Sequence, residues 1–236
     1  MRELWLAYGI AAAMPALLLL VGRAVPFVTS NLHALVAATF IYLPASLLWR
    51  RGANLGDAGL SLGQPGKSWL LVVGFWVVVV PLFTIGFGLF YREVCAHFAR
   101  LAPPGLCPSF RGADAVLHHL RVPRGFGEQV LVELAVVAIP EELFFRGYLH
   151  GELEKRWPAR RRLWGGGVGR ALLASSALFA LAHLSVQPDP RRLAVFFPAL
   201  VLGWMRSATG SIAAGAVTHA SANLLMKVLA ASYFGG

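Results

Sequence analysis

Pro140-Glu141-Glu142-Leu143-Phe144-Phe145-Arg146 places two adjacent carboxylates and a guanidinium inside an apolar segment that runs from about residue 129 to residue 149. An ionisable side chain at membrane depth costs about 2.5–3.5 kcal/mol on insertion scales. Packing alone does not explain such groups at 141, 142 and 146. The stretch therefore indicates a functional site that is buried in a membrane helix.

The composition of the chain indicates a membrane protein. Hydrophobic residues make up 57% of its 236 residues and charged residues 14%, whereas soluble domains carry about 25% charged residues. Apolar runs of spanning length recur, so we expect an all-α, polytopic bundle of seven to eight transmembrane helices, forming a single integral membrane domain over residues 1–236. The richness in Arg and Ala suggests a bacterial chain of the inner membrane.

Seven apolar segments are the predicted membrane helices. They are residues 4–21, 32–49, 69–91, 129–149, 171–184, 193–205 and 212–229. The first resembles a signal peptide, but it is long for one and no clear cleavage site follows, so we interpret it as a membrane helix. A cytoplasmic N-terminus places most basic clusters inside, and a further embedded helix between 92 and 127 would make eight passes.

The net charge of +10 does not indicate a nucleic-acid partner. The basic residues lie between the apolar runs, where the positive-inside bias and anionic lipid headgroups account for them. The lipid bilayer is therefore the expected partner of these side chains. The region from 156 to 170 is interpreted as a basic loop, because its glycine run lacks the Lys-Ser/Thr of a phosphate-binding loop.

The two cysteines, Cys95 and Cys107, match no zinc-site spacing. They would pair if their loop faced an oxidising compartment, but we expect two free thiols.

Helix geometry separates the two glutamates of the motif. Glu142 and Arg146 are four residues apart and share a helix face, which predicts a salt bridge. Glu141 lies about 100° away around the helix and is free to face another helix. A purely structural alternative is an ion pair with Glu141 snorkelling towards the surface, which is implausible this deep in the segment. Glu133, two turns earlier, is expected near the membrane interface.

Two later helices carry polar side chains at helical spacing. Phe179 lies one turn before His183 and is expected to cover it from lipid. His219 and Asn223 also share one face of an apolar helix, where two polar groups would seek a shared partner. Each histidine alone is more typical of a packed core residue. Together with a carboxylate, these groups can activate water and stabilise an oxyanion.

These motifs resemble those of the CAAX protease and bacteriocin-processing (CPBP) family. Residues 140–147 look like its EExxxR motif, and residues 179–183 are similar to its FxxxH motif. Residues 197–203, followed by Gly210-Ser211, resemble its glycine-bearing motif, and residues 219–223 resemble its HxxxN motif. The motifs occur in family order within residues 128–229, where we expect the catalytic core.

The resemblance implies a glutamate-dependent intramembrane endopeptidase without a cofactor. Glu141 would be the general base that deprotonates water together with His183. His219 and Asn223 would stabilise the tetrahedral oxyanion. Arg146 would either hold Glu142 in place or meet the terminal carboxylate of the substrate.

The implied substrate is a membrane-anchored protein or peptide. Bacterial relatives resemble peptide-processing, immunity or protein-sorting proteases. One branch is thought to process C-terminal sorting tails, and a compact chain without an extra domain fits that branch.

Three other readings stay open at this point. Glu141, His183 and His219 could form a zinc site, although no HExxH motif is present. A proton-coupled transporter would also bury acids, but no inverted repeat is visible in the sequence. A membrane scaffold that holds a partner protein is the third.

Overall fold

Helices account for most of the chain in a computed structural model that describes residues 1–102 and 105–234. The first half contains four helices of unequal length. They are α1 (Arg2–Gly22), α2 (Pro26–Ser30), α3 (Leu32–Trp49) and α4 (Pro65–His97). The segment that follows α4 holds only short elements, namely a 3₁₀ turn (Ala99–Leu101), α5 (Leu106–Ser109) and α6 (Ala115–His118).

The acidic motif lies in one long helix, residues 126–156, which we call the motif helix. Three α-helical parts alternate with two π-helical parts. In chain order they are α7 (Phe126–Leu131), the π segment Val132–Ala138, α8 (Ile139–Glu142), the π segment Leu143–His150 and α9 (Gly151–Arg156). Pro140 in α8 lacks an N–H and removes one backbone hydrogen bond. The wider turns of the π segments lie on both sides of it, a feature that is frequent at functional sites.

A short hairpin follows the motif helix. Strands β1 (Arg161–Leu163) and β2 (Gly166–Val168) pair antiparallel, with Arg161 opposite Val168 and Leu163 opposite Gly166. The two turn residues, Trp164 and Gly165, have φ values of 47° and 84°. Positive φ at both central positions is the conformation that joins tightly twisted hairpins. The expected basic loop is thus a hairpin, which sequence periodicity could not indicate over three-residue strands.

Three helices complete the fold. They are α10 (Arg170–Val186), α11 (Phe196–Thr209), which is preceded by the 3₁₀ turn Pro190–Val195, and α12 (Ala213–Phe234). Helix α10 packs on α1 and α11, and α12 packs on α4, α11 and the first half of the motif helix. Six of the seven predicted membrane segments thus coincide with one helix to within a few residues, and the segment 193–205 begins in the 3₁₀ turn before α11.

The protein is an all-α integral membrane protein. Among the described residues, α1, α3 and α4 are long and apolar enough to cross a bilayer, and α10 is a shorter apolar helix. Helix α4 is apolar yet mostly uncovered by protein, and its large exposed side chains include Trp69, Leu70 and Val77. A contiguous apolar surface of this kind is expected against lipid rather than water.

The main core surrounds the aromatic part of the motif helix. Phe144, Phe145 and Tyr148 are at most 2% exposed and pack with residues of α1, α3 and α10. The ring of Phe40 in α3 stacks on Phe144 at a centroid distance of 5.6 Å. Aromatic packing therefore holds the acidic motif against the first half of the chain.

An ionic network ties the far end of the motif helix to the N-terminus. Arg51 bridges Glu152 of α9 at 2.9 Å and Glu3 of α1 at 2.8 Å. Burial raises the pKa of Glu152, but hydrogen bonds from Lys155 and Arg51 outweigh it and lower the pKa to about 2. This carboxylate is consequently charged at any physiological pH.

Cys95 and Cys107 form a disulfide bond, so the expectation of two free thiols is wrong. Their Cα atoms lie 5.3 Å apart, within the range that a disulfide spans. Only the path of the chain after α4 brings the two residues together, and the spacing of the cysteines does not reveal it.

The loop between α3 and α4 should be sensitive to side-chain volume on the motif helix. A Cβ on Gly147 would lie 2.5 Å from the carbonyl oxygen of Ala58, whereas a Cβ on Gly151 would meet nothing within 4 Å. We expect Gly147→Ala to destabilise the protein by about 1–3 kcal/mol because backbone atoms must move. The measurement is thermal unfolding in detergent.

Gly151→Ala is the matched control for this substitution. Its backbone is helical, with φ −57° and ψ −44°, so alanine should stabilise the fold by about 0.4–1 kcal/mol. Equal melting temperatures for the two variants would contradict the close packing of Ala58 on Gly147.

Candidate active site

Glu142 is the most deeply buried acid of the motif. Its side chain is 0% exposed, and its Oε1 lies 3.1 Å from Nη1 of Arg146, which is 3% exposed. The predicted salt bridge between residues four apart is therefore present. Arg146 also lies over the ring of Phe179 in α10, with Cζ 3.9 Å from the ring centroid. The guanidinium of Arg146 therefore supports Glu142, and Arg146 is not among the residues that line the cavity beside Glu141.

Helix α12 supplies a second partner for Glu142. Nδ1 of His219 lies 3.0 Å from Glu142 Oε1. Because a carboxylate accepts, this contact assigns the ring hydrogen to Nδ1 and leaves Nε2 to face another group. Gly215, one turn earlier, lets α12 approach, since a Cβ there would lie 2.9 Å from Glu142 Oε2.

Phe179 lies at the centre of the predicted residues. Its ring centroid is 4.5 Å from that of His183 and 6.1 Å from that of His219. The side chain is 3% exposed. The expected contact with His183 is present, and the guanidinium of Arg146 lies over the same ring.

His183 is oriented by its own helix. Its Nδ1 lies 2.9 Å from the carbonyl oxygen of Phe179, one turn earlier. A carbonyl accepts hydrogen bonds only, so Nδ1 donates and Nε2 keeps its lone pair. The imidazole can therefore accept a proton or a hydrogen bond through Nε2.

Glu141 has the least satisfied carboxylate of the motif. Its Oε2 lies 3.8 Å from Nε2 of His219, beyond hydrogen-bond distance. Among the described residues, this buried oxygen has no hydrogen-bond partner. The Glu141 side chain is 20% exposed, in contrast to that of Glu142. A water or a substrate atom between Oε2 of Glu141 and Nε2 of His219 would satisfy both of these atoms.

A cavity of about 500 Å³ opens beside Glu141. Glu141, His183 and Asn223 line it from the motif helix, α10 and α12. The opposite wall is formed by α1 and α3, which contribute mainly apolar side chains. These are Ala11, Pro15, Leu19, Leu32, Val36 and Phe40. All four predicted catalytic residues lie within 128–229, but the cavity depends equally on the first half of the chain.

Glu133 is a site residue that the sequence reasoning missed. It lines the cavity and is buried. Its expected position near the membrane interface stays a prediction. In a regular α-helix, eight residues turn about 80° beyond two full turns, which would separate Glu133 from the face of Glu141. The π segment between them has wider turns and brings both carboxylates to one cavity.

Glu133 also corrects the expectation of a shared partner for His219 and Asn223. Asn223 donates from Nδ2 to Glu133 Oε2 at 2.9 Å, whereas His219 contacts Glu142. The two residues share a helix face but contact acids that are nine residues apart on the motif helix. A buried acid in an apolar segment was the signal that could have identified Glu133.

Residues 125–225 match the family model described as "Type II CAAX prenyl endopeptidase Rce1-like". This segment is therefore similar to the CAAX protease family. The matched segment of this chain contains the motif helix, α10, α11 and the HxxxN motif in α12. Neither a curated protein nor a solved structure matches the chain. Within the described residues, no group of three His, Cys, Asp or Glu side chains is arranged to hold a metal ion.

The buried ion pair should contribute strongly to stability. Arg146→Met leaves Glu142 charged and buried, and removing one partner of such a pair costs about 3–5 kcal/mol. The matched control is Arg156→Met, because Arg156 also pairs with a glutamate four residues earlier, at 3.4 Å. Arg156 is 33% exposed, and a surface pair contributes about 0–1 kcal/mol.

Chemical or thermal unfolding in detergent would measure both variants. A loss for Arg146→Met no larger than that for Arg156→Met would show that Glu142 does not depend on its guanidinium partner.

Proposed function

We propose that this protein is an intramembrane endopeptidase that hydrolyses a peptide bond with water activated by Glu141 and His183. The observation that carries the proposal is the common cavity of Glu141, His183 and Asn223, with His219 beside Glu141. The family of residues 125–225 supports the class of reaction.

Each residue has a role that follows from its contacts. Glu141 has a free carboxylate oxygen and can take a proton from water, while Nε2 of His183 can hold that water or accept the proton. The hydroxide adds to the substrate carbonyl carbon and forms a tetrahedral oxyanion. Asn223 can donate to this oxygen through Nδ2, and His219 can donate through Nε2 when its ring is protonated, since Nδ1 is used by Glu142. These contacts lower the energy of the transition state. When the C–N bond breaks, the proton passes to the leaving amine.

The cavity suits a substrate that lies in the membrane. Apolar residues of α1 and α3 form one wall, so the cavity can accept apolar side chains next to the polar residues. A membrane-anchored protein or peptide is thus the proposed substrate. Within that class we propose the C-terminal sorting tails of bacterial surface proteins, which place an apolar helix next to a short motif.

The helix ends suggest the side from which substrate enters. The cavity is lined at the C-terminal ends of α1 and α10 by Leu19, Val186 and Gln187. If the helices cross the membrane in alternating directions, these ends lie on the same side as the C-terminal end of α4, which bears Cys95. A disulfide forms in an oxidising compartment. We therefore place the cavity mouth on the outer face of a bacterial inner membrane, with seven passes and a cytoplasmic N-terminus.

Cysteine labelling tests this orientation. In a background with Cys95→Ser and Cys107→Ser, single cysteines replace Leu117 and Trp164, which are 79% and 78% exposed. We expect Leu117→Cys to react with a membrane-impermeant maleimide in intact spheroplasts, and Trp164→Cys to react only after permeabilisation. The reverse pattern would place the cavity mouth in the cytoplasm.

Cleavage of a membrane-anchored peptide tests the reaction. We expect Glu141→Gln and His183→Ala each to lower the rate at least about 10²-fold, the usual contribution of a positioned acid or base. The matched control is Glu128→Gln, which changes an exposed glutamate of the same helix and should keep the wild-type rate.

Chelation separates this mechanism from the zinc alternative. Turnover should survive a strong chelator, and the purified protein should contain no stoichiometric metal. Wild-type rates in both Glu141→Gln and His183→Ala would refute the protease proposal, and loss of activity on chelation would favour zinc.

A further inference from the structure

Glu133 is a buried carboxylate that belongs to none of the motifs. Its side chain is 9% exposed. One oxygen, Oε2, accepts a hydrogen bond from Asn223 Nδ2 at 2.9 Å, and the other, Oε1, lies 2.7 Å from Nζ of Lys227. Both partners are in α12, four residues apart, so a single helix face satisfies both oxygens.

The contact with Glu133 selects one orientation of the Asn223 carboxamide. An asparagine can present either its oxygen or its NH₂ group to a neighbour, but an ionised carboxylate only accepts hydrogen bonds. Glu133 therefore holds the NH₂ group of Asn223 on its own side. One hydrogen of that group is used, and the second remains for a ligand in the cavity that both residues line.

Lys227 supports this arrangement of Glu133 and Asn223 through the other carboxylate oxygen. The Lys227 ammonium, which only donates, lies 2.7 Å from Oε1. Oε1 is thereby occupied by the lysine, and Oε2 is left for the NH₂ group of Asn223. Lys227 thus holds the carboxylate of Glu133, and Glu133 in turn orients the carboxamide of Asn223.

We propose that Glu133 is a positioning residue that fixes the Asn223 amide with an N–H directed at the developing oxyanion. The inference rests on the proposed function and adds a third glutamate to it. Glu133 acts through Asn223 and takes no proton from water, which separates its role from that of Glu141.

Steady-state cleavage of a membrane-anchored peptide by Glu133→Gln and Glu133→Asp tests the proposal. Glutamine keeps the size of the side chain but can donate, so the carboxamide is no longer selected. Aspartate is shorter but still only accepts. We expect Glu133→Gln to lower kcat by about 10²-fold, as for the loss of one oxyanion donor, with KM within about twofold. Glu133→Asp should retain more of the rate.

A double-mutant cycle with Asn223 provides the second readout. If Glu133 acts only through Asn223, then Glu133→Gln should cost nothing further in an Asn223→Ala background. Glu128→Gln is again the control and should keep the wild-type kcat, because that side chain is exposed. Melting temperatures of all variants identify any loss that arises from unfolding.

The outcomes separate this inference from the proposed function. If Glu141→Gln is inactive while Glu133→Gln keeps the wild-type kcat, or if the losses from Glu133→Gln and Asn223→Ala multiply, the role of Glu133 is wrong and the protease proposal stands. A rate for Glu133→Gln at or above that of Glu133→Asp would also overturn it. If Glu141→Gln retains full activity, both proposals fail.

Discussion

The buried carboxylate of Glu142 is the constraint on which the arrangement of the helices depends. A charge with no exposure is tolerated only with close partners, since the desolvation penalty is several kcal/mol per ion. Arg146 comes from the same helix, but His219 must be brought by α12, and Gly215 provides the room for that approach. Phe179 of α10 closes the remaining side by covering Arg146. Satisfying one acid thus assembles three helices.

Three glutamates of the motif helix, Glu133, Glu141 and Glu142, differ in the groups that contact them. Glu142 has an arginine and a histidine, and Glu133 has a lysine and an asparagine. Oε2 lacks a hydrogen-bond partner among the described residues in both Glu141 and Glu142, but Glu142 is paired through Oε1. Glu141 has no such pairing, since His219 Nε2 is 3.8 Å away, and it lies beside the cavity. A carboxylate that is already paired is a poor base, whereas an unpaired one can take a proton from water. The proposed division of roles follows from this difference in partners.

The first half of the chain contributes mainly apolar side chains to the cavity, with His33 of α3 as a polar exception. Helices α1 and α3 supply one wall of the cavity and pack their aromatic and aliphatic side chains on the motif helix. The disulfide near the end of α4 lies outside the family match, as do Arg51 and Glu3 of the ionic network, whereas their partner Glu152 lies within it.

The sequence by itself determined the all-α membrane class, the helical segments and the pairing of Glu142 with Arg146. These depend on local hydropathy and on spacing within one helix, which follow directly from residue order. Only the tertiary structure decided that Cys95 pairs with Cys107, that Asn223 and His219 contact different acids, and that Glu133 faces the cavity. Each of these depends on chain path or on helix–helix contact. For Glu133, the π segment also changes the helical phase relative to Glu141 from that of a regular α-helix.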